Sequence, residues 1–293
     1  MADRSSKRFG YAVQAALLWL FLAICRALPV DRASAFGGWI GRNLGPRMGQ
    51  NKKAQRNLER ALPENDPAEN RRIMRGMWDN LGRVMAEYPH LPRICEQLEG
   101  GRLEIVGIEH IHNMAKSEKS SILFSAHLAN WEVAPFSARH AGLSLGLIYR
   151  APNNPWVDAL IRDARDNPNQ FRKGAEGARA LFSLLRRGGT GAMLVDQKMN
   201  DGIPVPFFGR DAMTAPAIAQ FAIRLGTILV PARTERLKGA RFRITVFPPL
   251  DIPKTGDRTA DELALMTRIN AMIEGWIRAK PEEWLWLHRR WPN

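Results

Sequence analysis

The stretch Ser121–Pro135, SILFSAHLANWEVAP, passes from an unbroken apolar run into residues spaced as in a helix. SILFSA reads as a strand buried on both faces, as the strands of parallel sheets are. His127 then leaves its carboxyl end, the place where open α/β sheets present their ligands. LANWEVAP opens a helix whose first turn holds Glu132.

Outward from this junction the same alternation repeats. Short β-like runs occur at RLEIVG, LGLIY, GAMLVD, TILVPA and FRITVF, and helical patterns lie near residues 131–141, 155–166, 175–187 and 215–225. Strand and helix in turn predict an α/β fold, a layered sandwich with a central mixed, largely parallel sheet flanked by helices. Gly188-Gly189 supplies a left-handed stop for the third helix. A last helix is predicted to start at the capping-box pattern Thr259-Ala260-Asp261-Glu262. Leu263, Met266, Ile269, Ile273 and Trp276 would form its buried face, and Pro281 its end.

Before the α/β core, assigned to residues 101–293, the sequence has two other characters. Residues 1–32 contain the markedly apolar segment Tyr11–Val30, about 20 residues and so roughly 30 Å as a helix, enough to cross a bilayer. A cleaved signal peptide is the rival reading, since Arg4, Lys7 and Arg8 precede the run and Ala33-Ser34-Ala35 resembles a cleavage site. Basic residues continue beyond it at Arg26, Arg32, Arg42, Arg47, Lys52, Lys53 and Arg56, which favours a retained membrane-anchoring helix with that flank in the cytoplasm. Residues 33–100 read as a basic helical region facing anionic membrane lipids.

The 293-residue chain carries 43 Lys and Arg against 29 Asp and Glu, a net charge of +14, so its partners are expected to be negative. No nucleic-acid-binding module accompanies that charge, so nucleic acid is not an expected partner. The 2 cysteines, Cys25 and Cys95, form no Cys-x-x-Cys pair, and His110 and His112 point to different helix faces, so no metal site is expected. Walker and Gly-x-Gly-x-x-Gly patterns are missing from the sequence, which removes local support for nucleotide-dependent chemistry.

His127 and Glu132 are the residues with chemistry to offer. At a loop-to-helix junction the carboxylate can accept the Nδ1 proton and leave Nε2 as a base. Such a pair suits acyl transfer from a thioester to a hydroxyl, without a covalent enzyme intermediate. Spacing alone fits equally a satisfied core histidine and a carboxylate placed at a helix N-terminus.

HLANWE, YRAPNNPWVDALIRDAR, LLRRGGTGAMLVDQ, GIPVPFFGRDAMTAPAIAQFAIRLGTILVPA and PEEWLWLHRRW occur in that order over most of residues 100–293. Together they resemble the late acyltransferases of lipid A biosynthesis, of the lauroyl and myristoyl type, within the His-x-x-x-x-Asp/Glu glycerolipid acyltransferase group. The resemblance implies an enzyme of the bacterial inner membrane with its catalytic part facing the cytoplasm. It would transfer a fatty acyl chain from acyl carrier protein, as co-substrate and partner, to a hydroxyl of a lipid A precursor, with no cofactor. His127 would be the general base and Glu132 its orienting acid. Sister families imply another acceptor, such as a phosphatidylinositol mannoside, with acyl-CoA as a donor.

The resemblance extends to substrate-binding residues. Arg150, after a strand, is expected to take a phosphate or the phosphopantetheine linkage. Asp196 and Gln197, at the end of GAMLVD, are expected to position sugar hydroxyls or hold Arg150. Phe207 and Phe208 are expected to line an acyl channel, or to be core. Gly209 allows a tight turn, and Thr214 is expected to cap the next helix. Trp284, Trp286 and Trp291, with His288, Arg289 and Arg290, would sit at the headgroup level or pack on the sheet.

Overall fold

The computed structural model describes residues 2–96, 101–165, 167, 169–288 and 290–291. The chain opens with helices α1 (Ala2–Ala27), α2 (Val30–Leu44), α3 (Asn51–Ala61), α4 (Pro67–Glu87) and α5 (Leu91–Cys95). Strand β1 (Leu103–Val106), helix α6 (Ile108–Lys116), β2 (Ser121–Ser125), α7 (Val133–His140), β3 (Leu145–Tyr149) and α8 (Pro155–Arg165) follow. The remainder is β4 (Gln170–Arg172), α9 (Ala175–Arg186), β5 (Thr190–Leu194), β6 (Lys198–Phe207), β7 (Arg210–Thr214), α10 (Ala217–Leu225), β8 (Ile228–Arg236), β9 (Phe242–Val246) and α11 (Arg258–Ala279).

Among the described residues these strands form a seven-stranded sheet, ordered β1-β9-β8-β2-β5-β3-β4, and the separate ribbon β6–β7. All sheet neighbours are parallel except β8 and β9. Every residue of β2 is buried, as its unbroken apolar run requires. β2 lies between β8 and β5, with Ser125 opposite Leu194. Carrying that register two residues further sets His127 beside Asp196, at the carboxyl ends of adjacent central strands.

The expected mixed, largely parallel α/β sheet is therefore present, while α6, β4 and the ribbon go beyond what the sequence reading assigned. The ribbon is obscured by Gly202, Pro204 and Pro206, residues that argue against a strand in a central position. In a two-stranded ribbon each strand keeps a free edge, so a proline without an N–H is tolerated. Phe208 and Gly209 close the ribbon in a two-residue turn, both with positive φ (51° and 68°).

The start of α11 also differs from the reading. Asp257, not Thr259, is the cap, its carboxylate accepting from the N–H groups of Thr259 and Ala260. Met266, Ile269, Ile273 and Trp276 are buried as expected, but Leu263 is 43% exposed and Leu265 takes its place in the core.

In α1 the segment Arg8–Ala27 is, by length and composition, long and apolar enough to cross a membrane. One stripe of it, through Leu18, Leu22 and Cys25, turns toward the body of the protein, and Asn154 Nδ2 donates to the Tyr11 carbonyl at 2.8 Å. Phe9, Val13, Leu17, Leu20 and Ile24 form an exposed apolar stripe on its other side. The helix ends before Pro29, and α2 then folds onto α4 at very close range. A Cβ at Gly37 would collide with the Gly82 carbonyl oxygen, and one at Gly41 with the Trp78 carbonyl oxygen. The spacing of Gly37 and Gly41 is thus a packing requirement.

Hydrophobic contacts run across the three sequence regions. Leu58, Met77 and Trp78 from the basic helices share one core cluster with Phe124, Phe207 and Trp284, and Val84 and Tyr88 share another with Leu123 and Phe242. The expected boundary at Gly100 falls outside the described residues, as does Arg289.

Candidate active site

Asp196 grips His127 at two points, as the strand register demands. Its Oδ1 meets His127 Nδ1 at 2.7 Å, and its Oδ2 accepts the backbone N–H of His127 at 2.9 Å. Trp284 Nε1 donates to the same Oδ2 at 2.8 Å. The carboxylate is buried. Burial works to raise its pKa, but the charge of His127 and the hydrogen bonds from His127 and Trp284 more than offset this and hold it well below the usual carboxylate range. An ionised Asp196 accepts the proton at Nδ1, so His127 presents the lone pair of Nε2.

Gln197, the next residue, reaches the other side of the same ring. Its Nε2 lies 3.1 Å from His127 Nε2 and 3.0 Å from His288 Nε2, so one amide group bridges two imidazoles. Burial first, and the charge of His127 second, bring His288 down to about 4, leaving it neutral at physiological pH. Trp131 stands 5.2 Å from the His127 ring, centroid to centroid.

Glu132 is elsewhere. It is buried at the start of α7, its Oε1 accepting from Tyr88 Oη at 2.7 Å and from Arg165 Nη2 at 2.6 Å, and its Oε2 from Arg165 Nε at 2.9 Å. Burial tends to raise its pKa, and the facing Arg165 guanidinium more than reverses that, so the group is ionised. The expectation that Glu132 takes the Nδ1 proton is therefore corrected: Asp196 occupies Nδ1, and both oxygens of Glu132 are engaged by α8 and by Tyr88 after α4. Glu132 lies close enough to His127 to feel its charge, but its hydrogen bonds fix the loop.

That loop is tied down along its length. Ala129 has φ of 47°, uncommon for a residue with a Cβ, and its N–H donates to the Glu283 carbonyl. Asn80 donates to the Ala129 carbonyl at 2.9 Å, and Asn130 to Glu87 at 2.9 Å. Glu87 also accepts from Ser34 and from Arg236, so helices α2 and α4 and strand β8 meet behind the loop.

A cleft of about 520 Å³ adjoins the site, with Gln197 and His288 in its wall. Lys53, Arg150, Lys173 and Lys198 also line it, against Asp201. Arg150 thus faces the same cleft as Gln197, as a phosphate-binding role requires, while Asp196 holds His127 and not Arg150. Clustered cations beside a base suit a substrate that carries phosphate.

The remaining expected residues are not at this cleft. Phe207 and Phe208 are buried in an aromatic cluster, Phe207 5.9 Å from Trp284 and 5.8 Å from Trp291, and Phe208 6.3 Å from Trp286. They are core that backs Trp284, and through it Asp196. Thr214 does not cap α10, which begins after Pro216 without a side-chain cap. Its hydroxyl donates to the Ala212 carbonyl and accepts from the buried Arg290. Trp284, Trp286 and Trp291 are buried, which selects packing over the headgroup position.

Sequence reasoning missed Tyr88 and Arg165 as partners of Glu132, and His288 as a neighbour of the site. Arg165 stands in one of the family-like blocks. Tyr88, 44 positions from Glu132, has no local signal.

A family model described as bacterial lipid A biosynthesis acyltransferase matches residues 3–293. The chain is 24% identical over 245 residues to the lipid A biosynthesis lauroyltransferase of Escherichia coli (strain K12), spanning 82% of this chain and 78% of that protein. It is 21% identical over 278 residues to a lipid A biosynthesis acyltransferase of Haemophilus influenzae, spanning 92% and 86%. It is 24% identical over 284 residues to a phosphatidylinositol mannoside acyltransferase of Mycolicibacterium smegmatis, spanning 92% and 88%.

Proposed function

The chain belongs to the bacterial lipid A biosynthesis acyltransferase family and is an acyltransferase, and from that premise we propose that it moves a fatty acyl chain from acyl carrier protein to a hydroxyl of a lipid A precursor. The single observation that carries the mechanism is the clamp on His127. With Nδ1 held by ionised Asp196, Nε2 is the basic nitrogen and stands behind Gln197 at the wall of a cationic cleft.

The acceptor oxygen attacks the thioester carbonyl carbon as Nε2 takes its proton. The tetrahedral intermediate then collapses, the carbon–sulfur bond breaks, and the departing thiolate recovers the proton from Nε2. No acyl-enzyme forms and no cofactor takes part. Asp196 stabilises the imidazolium in between, as a carboxylate on Nδ1 does in other acyl-transfer sites. Glu132 serves the base indirectly, by anchoring the loop that carries it to Arg165 and Tyr88. Arg150 and the neighbouring lysines bind phosphate, on the precursor or on the phosphopantetheine arm.

The exposed apolar stripe of α1 and the net positive charge of the chain support attachment to the inner membrane, with the cleft on the cytoplasmic side among anionic lipids. Acyl carrier protein is acidic, so its KM should rise with salt once the screening length falls to roughly 10 Å at 0.1 M.

A second acceptor, a phosphatidylinositol mannoside, is favoured by the likeness to the mycobacterial enzyme alone. An assay of the purified enzyme that offers a lipid A precursor and a phosphatidylinositol mannoside as acceptors, with acyl carrier protein thioesters and acyl-CoA as donors, separates the two readings. Transfer to the precursor supports the first. Transfer only to the mannoside, or only from acyl-CoA, overturns it.

A further inference from the structure

The amide of Gln197 stands between the base and the cleft, and its orientation is set by a residue that the acyl-transfer mechanism has not used. Only the nitrogen end of an amide can donate. Its Nε2 lies within hydrogen-bond distance of two imidazole nitrogens, His127 Nε2 at 3.1 Å and His288 Nε2 at 3.0 Å. Asp196 has fixed the His127 tautomer, so His127 Nε2 is an acceptor and takes one amide hydrogen. The second hydrogen points at His288, whose Nε2 accepts it when the neutral ring carries its proton on Nδ1. His288 is neutral, as that role requires.

The backbone around His288 is held in place. Asn57 Nδ2 on α3 donates to the carbonyls of Trp286 (2.8 Å) and His288 (2.7 Å), and the N–H of Leu285 donates to the His127 carbonyl at 3.1 Å. The C-terminal segment and the base therefore keep a constant separation, and the 5.1 Å between the His127 and His288 ring centroids is spanned by Gln197.

We propose that His288 is a positioning residue for acyl transfer: its Nε2 holds the Gln197 amide so that an N–H, and not the carbonyl oxygen, faces the reacting nitrogen of His127. The proposal rests on the reading of His127 as general base. In the resting enzyme the Gln197 N–H caps the lone pair. When an acceptor hydroxyl takes its place at Nε2, the displaced N–H stays within reach of the reacting oxygens, because its sister hydrogen remains bound to His288. It is then a donor for the oxyanion that develops on the thioester carbonyl.

Without His288 the amide is free to turn over. Its carbonyl oxygen would then face Nε2, accept a hydrogen bond from the protonated ring, and favour imidazolium, the form that cannot act as base.

The test uses the full-length enzyme in lipid or detergent, with a lipid A precursor and an acyl carrier protein thioester. His288→Phe keeps a ring and removes the acceptor. The expected result is a fall of about tenfold in kcat, the equivalent of one net hydrogen bond, with little change in the KM for either substrate. The acid limb of the kcat/KM profile should move up by about one pH unit. His288→Gln, whose carbonyl can accept the same hydrogen, should recover most of the loss, which also guards against a mere folding defect. In a Gln197→Met background, His288→Phe should have no further effect on kcat.

An unmoved acid limb, a loss confined to KM, or additive losses in the double variant would overturn the proposal. His127→Ala separates this failure from that of the underlying reading. If His127→Ala keeps its turnover, the general-base reading fails and the proposal fails with it. If His127→Ala is inactive while His288→Phe behaves as wild type, only the role of His288 fails.

Discussion

His127 and Glu132 stand five residues apart in one loop, yet their surroundings are opposite. His127 has one nitrogen held by a carboxylate and the other covered by a single amide at the wall of a cleft. Glu132 is buried with both oxygens engaged by Tyr88 and Arg165. A group that must exchange a proton needs one exchangeable contact, and a group that holds a loop needs all of its contacts satisfied. In the proposed mechanism the chemistry falls to the first and the framework to the second, and the structure shows that residues paired in a sequence motif need not be paired in space.

The largest effect should come from removing the base. His127→Ala is expected to lower kcat by about 10²–10⁴-fold with the melting temperature near wild type. Retained turnover would erase the contrast altogether.

Asp196→Asn should follow, at about 10²-fold or more, for a reason that the geometry supplies. Trp284 Nε1 and the His127 N–H both donate at the Oδ2 position, so the amide oxygen must sit there. The NH2 group then faces Nδ1 and forces the proton to Nε2, the wrong tautomer. Glu132→Gln should cost less than about tenfold in kcat, since the partners of Glu132 shape a loop and do not touch the base. Comparing the two variants in the same steady-state assay sharpens the distinction.

Framework changes should appear in stability. Arg165→Met leaves Glu132 buried and unpaired, and should destabilise the protein by about 3–5 kcal/mol in denaturant titration. Tyr88→Phe removes one hydrogen bond to the same carboxylate, which keeps its ion pair, and should cost only about 1 kcal/mol.

The smallest effect is in pH. His288 has a folded-state pKa of about 4, below its ordinary 6.5. The unfolded chain therefore binds this proton first as pH falls. Its stabilising contribution is complete above about pH 6.5 and disappears as pH falls toward 4. The loss of stability between pH 7 and pH 5 should be shallower in His288→Phe than in wild type. An equal slope would place the titration elsewhere.

The parts of this site that rest on strand ends could be read from the sequence. SILFSA and GAMLV announce buried strands, so His127 and the Asp196-Gln197 pair were expected at the carboxyl edge of the sheet. What could not be read was that the two strands are neighbours in register, because pairing between strands 69 residues apart depends on the whole topology. For the same reason Glu132 looked like the partner of His127: nearness in sequence was visible, and Arg165 and Tyr88 were not. The β6–β7 ribbon was hidden by its prolines. The C-terminal tryptophans pointed equally to membrane or to core until Trp284 was seen to donate to Asp196.

The most direct test of the central claim, that Asp196 and not Glu132 orients the base, is the 15N spectrum of the His127 imidazole. A protonated Nδ1 and an unprotonated Nε2 are expected in the wild type and in Glu132→Gln, with loss of that tautomer in Asp196→Asn. A tautomer that survives Asp196→Asn but is lost in Glu132→Gln would contradict it.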